Sequence, residues 1–133
     1  MESLIDSSVL IEIERGRIDL EALLVRAGDG AAISVVTAAE VLHGVDRLST
    51  SRRKAQASTR FEALLARVAV IPFDLVCART YAQVGADLAS RGITVGIHDL
   101  MIGVTALTRG MRIITRDRRS FPRVRGLEVE LLG

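Results

Sequence analysis

Hydrophobic and polar positions along the chain form two alternating patterns. Short apolar runs of strand length lie at 3–5, 31–36, 69–71, 111–114 and 127–132. Stretches with helical periodicity separate them, at 8–15, 19–27, 38–48, 52–67, 74–90 and 99–108, and several end at a glycine such as Gly92 or Gly110. Strand followed by helix, repeated, predicts a parallel sheet with helices on both faces. The last run, LEVELL, alternates polar and apolar residues, which predicts an edge strand.

The composition fits a single α/β domain over residues 1–133. Apolar residues make up 49% of the chain and aromatic residues only 3%, so the core has to be aliphatic. The one cysteine, Cys77, cannot form an internal disulfide, which favours a reducing compartment. No apolar stretch approaches the roughly 18 residues of a membrane span, and the first residues lack a basic leader. We therefore expect a cytoplasmic protein without a membrane segment.

Four acids lie where strands end or helices begin, and each could be a helix cap. Asp6 follows the first strand, Asp99 opens an apolar helix and Asp117 follows the fourth strand. Glu40 stands three residues after Thr37 in TAAE, the spacing of a capping box with Thr37 as the N-cap. Taken singly, each acid is explained by capping.

Together, the four acids predict a metal site. The carboxyl ends of parallel strands, and the helix starts that follow them, lie at one edge of the sheet, so the acids should converge there. Like charges in one crevice raise each other's pKa or require a cation. Oxygen ligands suit Mg²⁺ or Mn²⁺, whereas zinc would require His or Cys, and His43, His98 and Cys77 are scattered. We expect His43 to pack in its helix and His98 to support an acid or lie at the surface.

Basic residues form two clusters although the formal net charge is only +2. The first consists of Arg109, Arg112, Arg116, Arg118, Arg119, Arg123 and Arg125, with Asp117 the one acid among them. The second consists of Arg47, Arg52, Arg53, Lys54 and Arg60. Such clusters are either solvated faces or phosphate-binding surfaces, and clustering around an acid favours phosphate binding for the first.

Four segments carry a resemblance to a known family. LIDSSVLIE, TAAEVLHG, IHDLMIGVTALTRG and ITRDRRSFPRVRGL occur in the order found in PIN-domain ribonucleases of the VapC toxin family. The resemblance implies a PIN-like three-layer α/β/α sandwich with a central parallel sheet of four or five strands. Two positions depart from the family pattern: Ser8 stands where Asn is frequent, and Gly103 where Ala is usual. Neither departure removes an acid.

The resemblance also implies a function and a set of site residues. Asp6, Glu40, Asp99 and Asp117 match the acidic quartet of the family, which holds one or two Mg²⁺ or Mn²⁺ ions. The family cleaves RNA as the toxin of a toxin–antitoxin pair, usually forms homodimers, and is silenced in a hetero-oligomer by a small VapB-type antitoxin.

The hypothesis assigns a role to each site residue. Asp6, Asp99 and Asp117 would bind the metal, and Glu40 would position or deprotonate the attacking water. The substrate would be held by the remaining candidates, which are Ser7, Thr115, Arg112, Arg116, Arg118 and Arg119.

Other function classes stay open at this point. A non-catalytic RNA-binding or regulatory module, or a PIN-type nuclease acting on DNA, would share most of these features. An aspartyl phosphatase would require a second acid at the position of Ser8, and a phospho-receiver domain would require a lysine near the final strands, whereas the one lysine is Lys54. Those two classes are disfavoured.

Overall fold

Along the described chain, pairs of α-helices separate the first four strands, and a 3-10 turn separates the last two. The computed structural model describes residues 1–28 and 30–133. The strands are β1 (Ser3–Ile5), β2 (Ala31–Ser34), β3 (Ala69–Ile71), β4 (Arg112–Thr115) and β5 (Val129–Leu131). The helices are α1 (Ser7–Glu14), α2 (Leu20–Ala27), α3 (Val35–Asp46), α4 (Ser51–Leu65), α5 (Leu75–Ser90) and α6 (Ile97–Arg109), followed by a 3-10 turn at Phe121–Arg123. Every predicted strand and helix is present, and no boundary is shifted by more than three residues.

The strands form one parallel sheet in the order β3-β2-β1-β4-β5. In the centre, Leu4 of β1 is in register with Ala32 of β2 and with Ile113 of β4. The apolar runs are continuous because a parallel sheet with helices on both faces buries both sides of its central strands. The predicted sandwich is confirmed, and β5 is an edge strand as expected.

Two faces of the sheet carry separate cores. Ile5, Ile33 and Ile114 pack on one face with side chains from α1, α2 and α4. Their neighbours along the strands, such as Leu4 and Ile113, point to the other face and pack against α6. The alternation of successive side chains along a strand thus divides the aliphatic residues between the two layers of helices.

Three helices start at an Asp or Thr side chain that caps them. The side chains of Asp19, Thr50 and Asp74 accept bonds from the first turns of α2, α4 and α5. At its other end, α6 stops at Gly110, which has a positive φ of 66° and forms a left-handed cap. Within the described chain, no helix combines the length and the apolar character needed to cross a membrane.

The predicted capping box at the start of α3 is wrong. The helix begins at Val35, directly after β2, and its N-cap is Ser34, whose Oγ accepts the bond of the Val36 N–H at 3.0 Å. Thr37 is therefore inside the helix and fully buried, with its Oγ1 unbonded within the described residues. Glu40 consequently lies in the second turn, where it does not serve as a cap and its carboxylate is available for other contacts.

Candidate active site

The centre of the site is the buried end of β1. Asp6 is 2% exposed and follows the strand directly, held by a backbone bond from its N–H to the carbonyl of Ile114 at 3.0 Å. Two hydroxyls donate to its Oδ2, that of Ser8 at 2.8 Å and that of the fully buried Thr115 at 2.8 Å. Its carboxylate also caps α1 through a long 3.4 Å bond from the Ser8 N–H. The Asp6 carboxylate therefore caps α1 and also bonds to the hydroxyls around it.

Thr115 connects the first acid to the last one. Its Oγ1 donates to Asp6 and accepts the backbone N–H of Asp117 at 2.9 Å. Ser8 makes a parallel link, since its Oγ accepts the N–H of Arg116 at 3.0 Å. The end of β4 is therefore tied to the start of α1 by two hydroxyls, which fixes the direction of the Asp6 carboxylate.

Ser120 joins Asp117 to Asp99. The backbone N–H groups of Arg119 and Ser120 donate to Asp117 Oδ1 at 2.8 and 3.0 Å, so Asp117 caps the turn that follows β4. The Ser120 hydroxyl donates to Asp99 Oδ2 at 3.3 Å, across from the first turn of α6. These bonds bring Asp117, which follows β4, beside Asp99 of α6.

The charges of the three other acids all act on Asp99. Desolvation raises the pKa of Asp99 above its ordinary value, and the charges of Asp6, Asp117 and Glu40 raise it further, while the Ser120 bond lowers it. Burial also acts to raise the pKa of Asp117, but the N–H bonds from Ser120 and Arg119 outweigh it and leave that pKa lowered. Asp99, with a raised pKa, thus lies near Asp117, with a lowered pKa.

Glu40 approaches this cluster from α3. Its Oε2 lies 3.5 Å from Nδ1 of His98, which is largely exposed at the start of α6. Its Oε1 is buried and has no hydrogen-bond partner within the described residues. A buried carboxylate oxygen without a donor is costly, so this atom calls for a cation or a water.

The four predicted arginines have different environments. Arg118 and Arg119 are exposed beside Asp117, whereas Arg116 forms an ion pair with Glu12, with Nη1 2.6 Å from Oε2. Arg112 lies at the start of β4 and donates to Ser3 Oγ at 2.7 Å and to the carbonyl of Arg26 at 3.0 Å. Because Arg112 begins the strand whose end carries the acids, it lies towards the opposite edge of the sheet. Its assignment to substrate binding stays a prediction that this position does not support.

The donor set suits a hard divalent cation. It consists of carboxylate oxygens with hydroxyls around them, the chemistry that Mg²⁺ and Mn²⁺ prefer. The unpartnered Glu40 Oε1 and the raised pKa of Asp99 are both features that a bound cation would relieve. Among residues 1–28 and 30–133, however, no group of three or more Asp, Glu, His or Cys side chains is arranged so that it could hold a metal ion. The carboxylates of Asp6, Asp99 and Asp117 are instead turned to hydroxyl and N–H donors.

Comparison with known proteins identifies the family. The sequence profile of the PIN domain matches residues 3–127. Ribonuclease VapC of Rickettsia bellii is 33% identical over 129 residues, which span 97% of this chain and 95% of that protein. The chain belongs to the VapC group of the PIN domain family. The expected resemblance is confirmed.

Solved structures of PIN-domain proteins agree. The VapBC-5 toxin–antitoxin structure from Mycobacterium tuberculosis has a chain that is 32% identical, with a TM-score of 0.76 and coverage of 98% of this chain and 97% of that one. The promoter-bound VapBC2 structure from Rickettsia felis has a TM-score of 0.89 and full coverage of both chains, at 22% identity, which shows the shared fold.

One residue of this PIN-domain site, Ser120, was not predicted, and the two serines that follow Asp6 differ in their contacts with it. Ser7, which was predicted, makes only a long 3.4 Å bond to Asp6, whereas Ser8 makes the short one. Ser120 was not considered, although a hydroxyl three residues after Asp117 is a common way to close a capped turn. The TRDRRS segment contained that signal, since Asp117 and Ser120 have the i, i+3 spacing of such a turn.

Proposed function

We propose that this PIN-domain protein is a metal-dependent endoribonuclease and the toxin of a toxin–antitoxin pair. The main support is the position of Asp99, whose pKa is raised by burial and by the charges of three other acids from separate elements. Acids gathered at such a cost to stability are typical of a functional site.

Asp6, Asp99 and Asp117 would hold the metal. A divalent cation bound there would supply Lewis acidity to the attacking water and neutralise negative charge that develops on the scissile phosphate. Rotation of the Asp99 and Asp117 side chains away from Ser120 would complete the ligand set, while Ser8 and Thr115 keep Asp6 in place.

The remaining steps belong to residues of the chain itself. Glu40, with one carboxylate oxygen lacking a donor, would accept a proton from the attacking water as the water oxygen bonds to phosphorus. The phosphorus–oxygen ester bond would break, and the leaving ribose oxygen would take a proton from solvent water. His98 at 3.5 Å would orient Glu40. The exposed guanidinium groups of Arg118 and Arg119 would hold phosphate oxygens beside Asp117.

A small antitoxin of the VapB type is the partner that we propose. The related structures from Mycobacterium tuberculosis and Rickettsia felis are of VapBC assemblies. We expect a toxin–antitoxin hetero-oligomer containing a homodimer of this chain, acting on RNA in the cytoplasm.

Cleavage of RNA in the presence of Mg²⁺ or Mn²⁺ tests the nuclease function. The wild-type protein should cleave, EDTA should stop cleavage, and Asp6→Asn should lower the rate by about 100-fold or more. Asp19→Asn is the matched control, because it removes one exposed carboxylate at the start of α2 and leaves a side chain that can still cap.

Three outcomes would contradict the proposal. RNA binding that is equal with and without EDTA, with no cleavage, would indicate a non-catalytic RNA-binding module. Preferential cleavage of single-stranded DNA in a parallel digestion would indicate a DNA-directed nuclease. Full activity in Asp6→Asn would remove the carboxylate cluster from the mechanism.

A further inference from the structure

One face of α3 leads away from the acids. Glu40, His43 and Arg47 have the i, i+3, i+7 spacing that puts side chains on the same face of a helix. His43 and Arg47 are both exposed, so His43 does not pack in its helix as expected. Arg47 lies about 10 Å beyond Glu40 along the helix axis, at 1.5 Å per residue. This face therefore connects the acidic cluster to the α3–α4 turn.

The path between these side chains is open. Gly44 lies between Glu40 and Arg47 on the same face, and a Cβ added there would meet nothing within 4 Å. Packing therefore does not require glycine at this position, although glycine weakens a helix interior. A glycine on an exposed face leaves room for a ligand to approach the backbone closely.

The first turn of α4 continues the basic character. Arg52, Arg53 and Lys54 are adjacent and exposed, and the turn contains no acid. With Arg47 they form a group that we call the α3–α4 basic surface. Within the described part of the chain, none of its four members has an ion-pair partner.

Cations in the second half of α4 and just after it are paired. Arg60 of α4 bonds to Glu14 of α1, and Arg67, which follows α4, bonds to Glu21 of α2 at 2.7 Å. The fold thus pairs Arg60 and Arg67 with acids and leaves the basic residues at the start of α4 without one. Adjacent like charges repel each other, so the α3–α4 basic surface is a net cost to the folded protein that an anionic ligand would offset.

We propose that the α3–α4 basic surface binds backbone phosphates of the RNA on one side of the cleaved bond. The proposal rests on the nuclease function and adds a substrate footprint that extends from Glu40 along α3. Arginine holds phosphate oxygens bidentately, and a protein with three Phe, one Tyr and no Trp has few rings on which bases can stack. Phosphate binding of this kind gives affinity without sequence preference.

The salt dependence of RNA affinity tests this surface. The variant Arg47→Gln/Arg52→Gln/Arg53→Gln would be compared with Arg15→Gln/Arg26→Gln/Arg79→Gln, which removes the same charge from exposed positions at the end of α1, in α2 and in α5. Both are made in an Asp99→Asn background so that the RNA stays intact. Because three arginines would no longer neutralise phosphates of a single strand, the slope of log K against log salt should become shallower by about 2, and affinity at about 0.1 M salt should fall by about 100-fold. The control should change neither by more than about one third of that.

Cleavage assays in the active background locate the bound phosphates. The variant that lacks Arg47, Arg52 and Arg53 should cleave a long RNA more slowly than wild type does. It should cleave a short oligonucleotide, which cannot reach beyond Glu40, as fast as wild type does. Equal salt slopes for the two triple variants would overturn the proposal. So would intact RNA binding together with a loss of antitoxin binding, since the surface would then belong to a protein partner. If the wild-type protein binds RNA without cleaving it and the triple variant loses that binding, the nuclease function is refuted, whereas RNA binding by the α3–α4 basic surface is supported.

Discussion

Replacing Thr115 by valine removes one hydroxyl from the end of β4 and keeps the shape of the side chain. Thr115 is fully buried, and its Oγ1 donates to Asp6 Oδ2 at 2.8 Å and accepts the Asp117 N–H at 2.9 Å. A bond to a charged group contributes about 1.5–3 kcal/mol and a neutral one about 1 kcal/mol. We therefore expect Thr115→Val to lower the free energy of unfolding by about 3 kcal/mol.

Thr115→Ser is the matched control. It keeps the hydroxyl and removes a buried methyl group, which costs about 1 kcal/mol. Urea denaturation of both variants at neutral pH measures the two losses directly. RNA cleavage should fall about 10- to 100-fold in Thr115→Val and much less in Thr115→Ser, because only the hydroxyl orients Asp6. A valine variant that is as stable as the serine variant would refute the view that this hydroxyl holds the carboxylate.

Three other substitutions give expected outcomes of different kinds. Asp99→Asn should raise the free energy of unfolding at pH 7 without metal, because the folded pKa of Asp99 lies above its unfolded value of about 4. This gain should shrink as pH falls through the folded pKa and vanish below about pH 4. A pH-independent difference would count against a charge interaction between Asp99 and the other acids. Ser120→Ala should raise the pKa of Asp99 further, since the bond that it removes lowers that pKa, and carboxyl NMR titration would show no change if the two side chains do not interact. Gly103→Ala should destabilise the fold by about 1 kcal/mol, because the new methyl would lie 3.3 Å from the fully buried Phe121 ring. The cost of this clash exceeds the gain in helix propensity. A higher midpoint of thermal unfolding would contradict this.

The sheet could be predicted from the sequence because its strands are short, apolar and separated by helical periods. The start of α3 could not, since AAISVV is one continuous apolar run in which β-branched Val35 and Val36 favour a strand. The structure turns into a helix there without any loop, capped by Ser34. That direct strand-to-helix connection is set by tertiary packing, which buries Val36 and Thr37.

The placement of Asp6, Asp99 and Asp117 towards one edge of the sheet could be predicted because each follows a strand or lies in the first turn of a helix. Glu40 was placed by a capping box that the structure does not have, and the joint role of the four acids stays a prediction. The roles of their neighbours depend on geometry that spacing alone does not contain. Arg112 is an example, since a residue at the start of β4 lies towards the edge of the sheet opposite to Thr115, and the spacing of the basic cluster does not contain the strand direction. Glu12 is buried, and its Oε2 lies 2.6 Å from Nη1 of Arg116. No periodicity in the sequence marks an acid as the partner of an arginine 104 positions later.

Binding of Mn²⁺ tests most directly whether Asp6, Glu40, Asp99 and Asp117 form one cation site. Isothermal titration of the wild-type protein should show saturable binding that Asp6→Asn and Asp99→Asn each weaken by at least about 10-fold, while the control Asp19→Asn binds as wild type does. Binding of equal strength in all four proteins would contradict the account, because it would mean that the convergent carboxylates are not the ligands.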